Sequence, residues 1–195
     1  MLGAPPPALA DEPMPRLEPL DPDRMNPAQR RIHDAILAGP RGSVPAPLSI
    51  WLRRPELADR AQALGRYCRY ETALPPRLSE LAILITAAFW RSGFEWQAHK
   101  PFALEAGLDP GVIEAIRQGR EPEFAHADEA ALHAFARAVH ERHQVPDAVY
   151  QRALDALGED GVVDLTGILG YYTLISMTLN IFEIPPGDGA PSAFD

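Results

Sequence analysis

The sequence predicts an all-α protein of about eight helices, and three observations support this fold class. Apolar residues recur three and four positions apart through most of the chain, and no segment alternates convincingly between apolar and polar residues. Proline, asparagine and aspartate stand where helices would begin, and glycine stands where they would end. With 195 residues, of which 46% are apolar and 23% charged, the chain is long enough to form one sizeable core.

The predicted helices follow a proline-rich, acidic stretch. Residues 1–24 lack hydrophobic periodicity and are predicted to form a flexible arm before a helical domain over residues 25–184. A first helix is expected at Pro27, with Asn26 as its N-cap, and a short helix precedes a longer one that starts at Pro55. The remaining helices are expected over residues 77–90, 93–106, 110–118, 126–145, 146–157 and 160–182, with a tail over 185–195.

Composition excludes several classes of protein. The net charge is −9 and no window concentrates arginine or lysine, so we expect no nucleic-acid partner. The N-terminal residues lack the basic and apolar regions of a signal peptide. The most apolar stretch, residues 162–182, contains Asp164 and Asn180 and is expected to be a buried helix, so we predict no membrane partner.

A single cysteine limits the redox chemistry that the chain can carry. Cys68 has no second thiol with which to form a disulfide or a CxxC pair, which is compatible with a reducing, cytoplasmic location. Because Leu57, Ala61, Leu64 and Cys68 fall at helical spacing, we expect them to share one buried face, with Cys68 as a small core residue.

The stretch "SGFEWQAHKPFALEAGL" contains the residues that could carry chemistry. Ser92, Glu95 and His99 stand at positions i, i+3 and i+7 and therefore share one face of a helix. Glu80 lies near the start of the preceding, mostly apolar helix. If the two helices are antiparallel and joined by a tight turn near residues 91–93, Glu80 comes close to His99. Nearby carboxylates would then raise the pKa of His99.

The pattern alone leaves three interpretations of Glu95 and His99 open. A Glu–His pair four residues apart is often only a surface contact that contributes about 0.2–0.5 kcal/mol. It could also form half of a metal site or an acid/base pair. The histidines at 133, 140 and 143 lie on one amphipathic helix and are expected at the surface or at an interface.

A resemblance to a known family adds to this interpretation. The stretch from Leu74 to Gly119, "LPPRLSELAILITAAFWRSGFEWQAHKPFALEAGLDPGVIEAIRQG", resembles the carboxymuconolactone decarboxylase family, which includes alkylhydroperoxidase D. The resemblance extends to "RMNPAQRRIHDAI", "WLRRPELADRAQALGRYCRYE" and "VVDLTGILGYYTLISMTLNIF". It implies an alkylhydroperoxidase D-like helical bundle that assembles into a dimer, trimer or hexamer, with the active site near subunit contacts.

The two branches of that family imply different chemistry. The peroxidase branch has a glutamate, a CxxC pair and a histidine, which fall on Glu80, on Ser92 and Glu95, and on His99. This chain therefore lacks the redox pair, and the resemblance does not imply thiol peroxidase activity. The decarboxylase branch has a Glu–His pair spaced as Glu95 and His99, and its reaction needs neither metal nor cofactor.

The resemblance implies a decarboxylase-like lyase that acts on a small lactone or keto acid by general acid/base catalysis. His99, Glu95 and Glu80 are the predicted catalytic residues, and Ser92, Arg91 and Trp96 are candidate substrate-binding residues. Arg69 and Arg77 are further arginines that could hold a substrate carboxylate. The expected partners are a small-molecule substrate and other copies of the chain. The alternative function is that of a non-catalytic, oligomeric helical module that has lost the redox cysteines.

Overall fold

A computed structural model describes residues 15–18, 20–186 and 192–194 of the chain. Within these residues the protein contains α-helices and a short 3₁₀ turn, Pro22–Arg24, and no strand, which confirms the all-α prediction. The helices are α1 (Pro27–Leu37), α2 (Ala46–Trp51), α3 (Pro55–Tyr70), α4 (Pro76–Phe89), α5 (Gly93–Glu105), α6 (Pro110–Arg117), α7 (Ala127–Arg142) and α8 (Asp147–Ile181).

The helix ends follow the residues that predicted them. At the start of α1, the Asn26 side chain accepts a hydrogen bond from the Gln29 amide, and the Gln29 side chain accepts one from the Asn26 amide. Asp109 caps α6 by accepting from two backbone amides. Gly107 and Gly119 end α5 and α6 with φ of 89° and 66°, values that glycine adopts without strain.

Helix α4 forms the centre of the bundle. It is buried on nearly all sides from Leu78 to Ala87 and packs against α5, α7 and α8. The turn that links it to α5 is very short, and Arg91 within it has a φ of 50°. Helices α4 and α5 therefore run antiparallel, so the beginning of α4 lies beside the second half of α5.

Helix α8 contains both of the last two predicted helices. Its backbone is helical except at Gly158, where φ is 73° and ψ is 172°, and this kink lies where the sequence predicts a helix to stop. By length and composition α8 could cross a membrane, but 61% of its most apolar window is buried inside the molecule. It has the burial of a core helix.

Helix α3 buries a different face from the predicted one. Ala61 and Cys68 are buried as expected, but Leu57 and Leu64 are 46% and 47% exposed. The buried stripe also includes Ala58 and Gly65, because small residues let α3 lie close to its neighbours. The prediction that Leu57 and Leu64 belong to this core is therefore wrong.

The described parts of both ends of the chain pack onto the bundle. The amide of Arg16 donates to the carbonyl of Phe182, 2.9 Å away, at the end of α8. At the other end, the Phe194 ring is buried edge-on against Trp96, with 5.3 Å between ring centroids. Residues 1–14 and 19 of the predicted arm lie outside the described residues. Residues 187–191 and 195 of the predicted tail do so too.

Candidate active site

The imidazole of His99 lies between two glutamates. Its Nδ1 is 2.7 Å from Oε2 of Glu80, and its Nε2 is 3.0 Å from Oε1 of Glu95. All three side chains are buried, with exposed fractions of 2% for His99, 5% for Glu95 and 8% for Glu80. The three predicted catalytic residues therefore form one cluster, and the interpretation of Glu95–His99 as a surface pair is wrong.

Two features of the local fold assemble this cluster. Glu95 and His99 stand one turn apart on α5, so their side chains share a face. Glu80 lies in the second turn of α4, and the antiparallel α4–α5 hairpin brings that turn next to His99. The Tyr172 ring on α8 meets the imidazole edge-on, at 5.2 Å between centroids, and closes another side.

The cluster favours a charged imidazole. Burial by itself lowers the pKa of His99, but the charge of Glu95 and the hydrogen bonds to both glutamates outweigh it and raise the pKa from 6.5 to about 9. A protonated ring carries a proton on each nitrogen and can therefore donate to both glutamates. At neutral pH His99 is therefore an imidazolium held between two carboxylates.

A cavity of about 300 Å³ opens onto this cluster, and we call it the His99 cavity. Glu95 and His99 line it, together with apolar and aromatic residues from α2, α5 and α8, among them Leu48, Phe94, Phe102, Tyr171, Tyr172 and Ile175. Glu80 lines a neighbouring cavity of about 720 Å³. Five lining residues are common to both: Arg41, Ser43, Pro45, Arg69 and Phe102. One cavity thus reaches His99 and Glu95, and the other reaches Glu80.

Two arginines line both cavities. The guanidinium of Arg69 lies 4.7 Å above the Phe102 ring centroid and 5.5 Å from that of Tyr70, and Arg41 lies 5.9 Å from the same tyrosine ring. Neither arginine has an ion pair with a carboxylate among the described residues. Both are therefore available to an anionic ligand.

The position of Tyr171 in the wall of the His99 cavity depends on a glycine. A Cβ added at Gly65 on α3 would lie 2.1 Å from the Tyr171 hydroxyl oxygen, far inside van der Waals contact. The absence of a side chain at Gly65 therefore allows Tyr171 to occupy the space between α3 and α8.

The three candidate substrate-binding residues do not line the His99 cavity. Ser92 is buried at the start of α5, and its hydroxyl has no hydrogen-bond partner in the described part of the chain. Trp96 belongs to the core and contacts Phe194. Arg91 lies at the far end of the α4–α5 hairpin, next to a different cavity. These three residues lie on α5 or next to it in sequence, but that position alone did not bring them to the His99 cavity.

Of the other two arginines named from the sequence, only Arg69 lies at the site. Arg77 is held by Asp128, at 2.8 Å, and by Glu129 at the start of α7. Its role is therefore structural. Sequence reasoning missed Arg41 because it stands in a Gly- and Pro-rich loop that carries no periodic signal.

Cys68 and two histidines of α7 are buried, and burial shifts the pKa of each towards its uncharged form. Burial raises the pKa of the Cys68 thiol to about 11, so little thiolate is present at neutral pH. His133 and His140, predicted at the surface or at an interface, are buried within the chain, and burial lowers both pKa values. Among the described residues, no group of three His, Cys, Asp or Glu side chains could hold a metal ion.

A known family is similar to the part of the chain that contains the cluster. The sequence model of the carboxymuconolactone decarboxylase family matches residues 55–139, which include α3 to α6, most of α7 and all three residues of the cluster. The match supports the resemblance of this part of the chain to that family. No curated protein matches the sequence significantly.

Solved structures share the fold of this chain. A debrominase, Bmp8, matches with a TM-score of 0.70 and 13% identity, covering 91% of this chain and 95% of its own. A peroxidase-related protein from Silicibacter sp. TM1040 matches with a TM-score of 0.68 and 14% identity, covering 96% and 95%. A putative antioxidant defence protein AhpD from Agrobacterium tumefaciens matches with 0.62 and 18%, covering 70% and 94%. These likenesses confirm the alkylhydroperoxidase D-like fold.

Proposed function

We propose that this protein is a lyase that needs no metal or cofactor and decarboxylates a small lactone or keto acid by general acid/base catalysis. The observation that carries the proposal is a buried imidazolium, His99, held between Glu80 and Glu95 and facing a cavity. Such a group offers a proton in a place from which water is largely excluded.

The proton step follows from the position of each group. When the bond between the substrate and its carboxyl group breaks, CO₂ leaves and the electron pair passes into the adjacent carbonyl or conjugated lactone. A proton from the His99–Glu95 pair, which faces the substrate, then ends on carbon. Glu80 lines the neighbouring cavity, so solvent there can return a proton to His99 through Glu80.

Arg69 and Arg41 are proposed to hold the anionic part of the substrate. They line the same cavity as His99, and neither is paired with a carboxylate in the described part of the chain. Guanidinium groups bind carboxylates through two parallel hydrogen bonds, which fixes orientation as well as charge. The Tyr171, Tyr172 and Phe102 rings favour a flat, apolar substrate body.

One comparison supports a small ring-shaped substrate, and the burial of Cys68 argues against thiol chemistry. A cysteine-to-alanine variant of the debrominase, with a TM-score of 0.66, was solved in complex with 2,3,4-tribromopyrrole. A fold of this kind can therefore bind a compact planar ring in that protein. In this chain Cys68 is buried and protonated, so a mechanism based on a thiolate is disfavoured.

The test is a turnover screen of lactone acids and keto acids of aromatic catabolism, read by CO₂ release. We expect at least one substrate to release CO₂ without added metal or cofactor. For that substrate, Arg69→Gln should raise KM about tenfold or more, because one charge-assisted contact is lost. Arg152→Gln, an exposed arginine that lines neither cavity, is the matched control. No turnover of any substrate in the screen would favour the alternative below.

The alternative is a non-catalytic, oligomeric helical module. The observation that favours it is the set of exposed apolar side chains, which includes Leu174, Met177 and Ile181 on one face of α8. Self-association as a dimer, trimer or hexamer is compatible with both functions. Light scattering at micromolar concentration tests it, and a single species near the chain mass of 21.4 kDa would contradict it. A cytoplasmic location is proposed for either function.

A further inference from the structure

A third cavity lies where the end of α4 meets α6 and α7. Its volume is about 320 Å³, within the range of small-molecule sites, which is roughly 300–1,000 Å³. It shares no lining residue with the His99 cavity or with the neighbouring cavity at Glu80. We call it the α4–α7 cavity. The mechanism proposed above uses none of its residues.

Four arginines line the α4–α7 cavity, and two of them are already paired. Arg117 donates to both carboxylate oxygens of Glu114, at 2.9 and 2.7 Å. Arg137 is bonded to Glu141 at 2.8 Å and to Glu121 at 2.7 Å. The positive charges of these two side chains are therefore largely neutralised by glutamates and contribute little to the binding of an anion.

The other two arginines have no carboxylate partner among the described residues. The guanidinium of Arg91 lies 5.8 Å from the centroid of the Phe194 ring. Arg120 donates through Nε to the Gln118 side chain, at 2.7 Å. Within the part of the chain that the structure describes, both keep guanidinium N–H groups free of any carboxylate, so two guanidinium groups at this cavity are available to an anionic ligand.

The backbone at Arg91 supports a role for its side chain. With φ at 50°, Arg91 occupies the left-handed region that residues other than glycine rarely adopt. This conformation costs an arginine more than it would cost a glycine. The turn between α4 and α5 places this side chain at the cavity.

Aromatic rings give the cavity an apolar wall. Phe89 is 47% exposed, and one face of its ring stacks on His140 with a centroid separation of 4.7 Å and an interplanar angle of 17°. His140 is itself fixed by Thr86, whose hydroxyl lies 3.1 Å from Nε2. A rigid aromatic ring therefore stands at the cavity with much of its surface open, and Phe194 lines the same space.

We propose that the α4–α7 cavity is a second binding site that takes a small aromatic carboxylate. Arg91 and Arg120 hold the carboxylate, and Phe89 stacks on the ring. The buried histidines His133 and His140 are uncharged at neutral pH, because burial lowers their pKa values, so the arginines supply the positive charge. This proposal does not depend on catalysis at His99.

The experiment measures the binding of benzoate to the full chain by calorimetry and by the NMR signals of the histidine rings. Benzoate should shift the signals of His133 and His140. Arg91→Gln and Arg120→Gln should each weaken its binding about tenfold, the change expected for loss of one charge-assisted hydrogen bond. Benzyl alcohol, which keeps the ring and lacks the charge, should bind at least tenfold more weakly. Arg152→Gln should leave the affinity unchanged, and circular dichroism checks that each variant is folded.

Three results would overturn the proposal. Benzoate could fail to bind at millimolar concentration. It could bind with an affinity that depends on Arg69 and not on Arg91 or Arg120, which would place it in the His99 cavity only. Finally, Arg91→Gln or Arg120→Gln could dissociate an oligomer, which would make this face a contact between copies of the chain.

Discussion

Two ion clusters in this protein, one half-buried and one buried, have the same arrangement of charges and different surroundings. In each cluster, one cationic side chain contacts two carboxylates, and these contacts link α4 to a neighbouring helix. Arg77 binds Asp128 and Glu129 on α7, and His99 binds Glu95 on its own helix and Glu80 on α4. The arginine cluster lines neither of the cavities at His99, whereas the histidine cluster faces both.

The difference shows that an ion cluster between helices is not by itself a sign of catalysis. A guanidinium stays charged at every physiological pH, so the Arg77 cluster can only hold helices together. An imidazole gains and loses a proton near neutrality, and the carboxylates decide at which pH it does so. The His99 cluster differs from the Arg77 cluster in two respects: it faces a cavity, and its cation can exchange a proton.

The largest expected effect is on turnover when the imidazole is removed. His99→Ala should lower kcat at least a hundredfold on any substrate found, because loss of a general acid/base costs about 10²–10⁴-fold. Arg77→Met should keep the turnover per folded molecule. If a folded His99→Ala protein turned over substrate at the wild-type rate, the proposed mechanism would be wrong.

The reverse pattern is expected for stability. Arg77→Met leaves Glu129 buried without its cation, which should lower the free energy of unfolding by about 3 kcal/mol. Urea denaturation measures this change. Arg60→Met is the matched control, because Arg60 and Glu56 form an exposed pair that is expected to contribute less than about 1 kcal/mol. Equal losses in the two variants would show that the Arg77 cluster does not stabilise the α4–α7 contact.

The two clusters should also differ in how stability depends on pH. The folded-state pKa of His99 is raised from 6.5 to about 9, so the folded protein holds this proton more tightly than the unfolded chain does. The resulting stabilisation is fully present below pH 6.5 and is lost as the pH rises through about 9. The difference in unfolding free energy between wild type and His99→Gln should therefore shrink over that window. A difference that stays constant from pH 6 to pH 10 would contradict the assigned shift.

Removing one carboxylate should change the pH dependence and preserve the shape of the site. Glu95→Gln removes the charge that contributes most to raising the pKa of His99. The alkaline limb of the rate profile should then move to lower pH by about one unit or more. Glu80→Gln should move it in the same direction, and Glu56→Gln, far from the site on the surface, should leave it unchanged. An unchanged profile in Glu95→Gln would mean that another group carries the proton.

The smallest effect is expected at Cys68. Cys68→Ser should keep kcat within about threefold, because the thiol is buried, protonated and absent from the lining of the His99 cavity. A modest loss of stability is expected, since the serine hydroxyl would be buried in an apolar core. If Cys68→Ser folded but lost turnover, a mechanism that uses this one cysteine would be supported instead.

Much of the fold could be predicted because helix ends and apolar periodicity are local properties. Asn26, Asp109 and the glycines at 107, 119 and 158 act on the backbone within a few residues of themselves. Glu95 and His99 share a face for the same reason. The face of α3 was mispredicted because Leu57 and Leu64 are apolar, and only the neighbouring helices determine which apolar residues are covered.

The sequence by itself determined the helices, the α4–α5 hairpin and the three residues that meet at His99, since each depends on spacing along the chain and on a tight turn. The tertiary structure decided which side chains surround that cluster. Arg69 and Arg41 reach the cavity, and Arg77 is bound elsewhere, because the packing of distant segments determines where each guanidinium finds a carboxylate. Arg91 lines a separate cavity for the same reason, since α6 and α7 pack beside the turn that carries it.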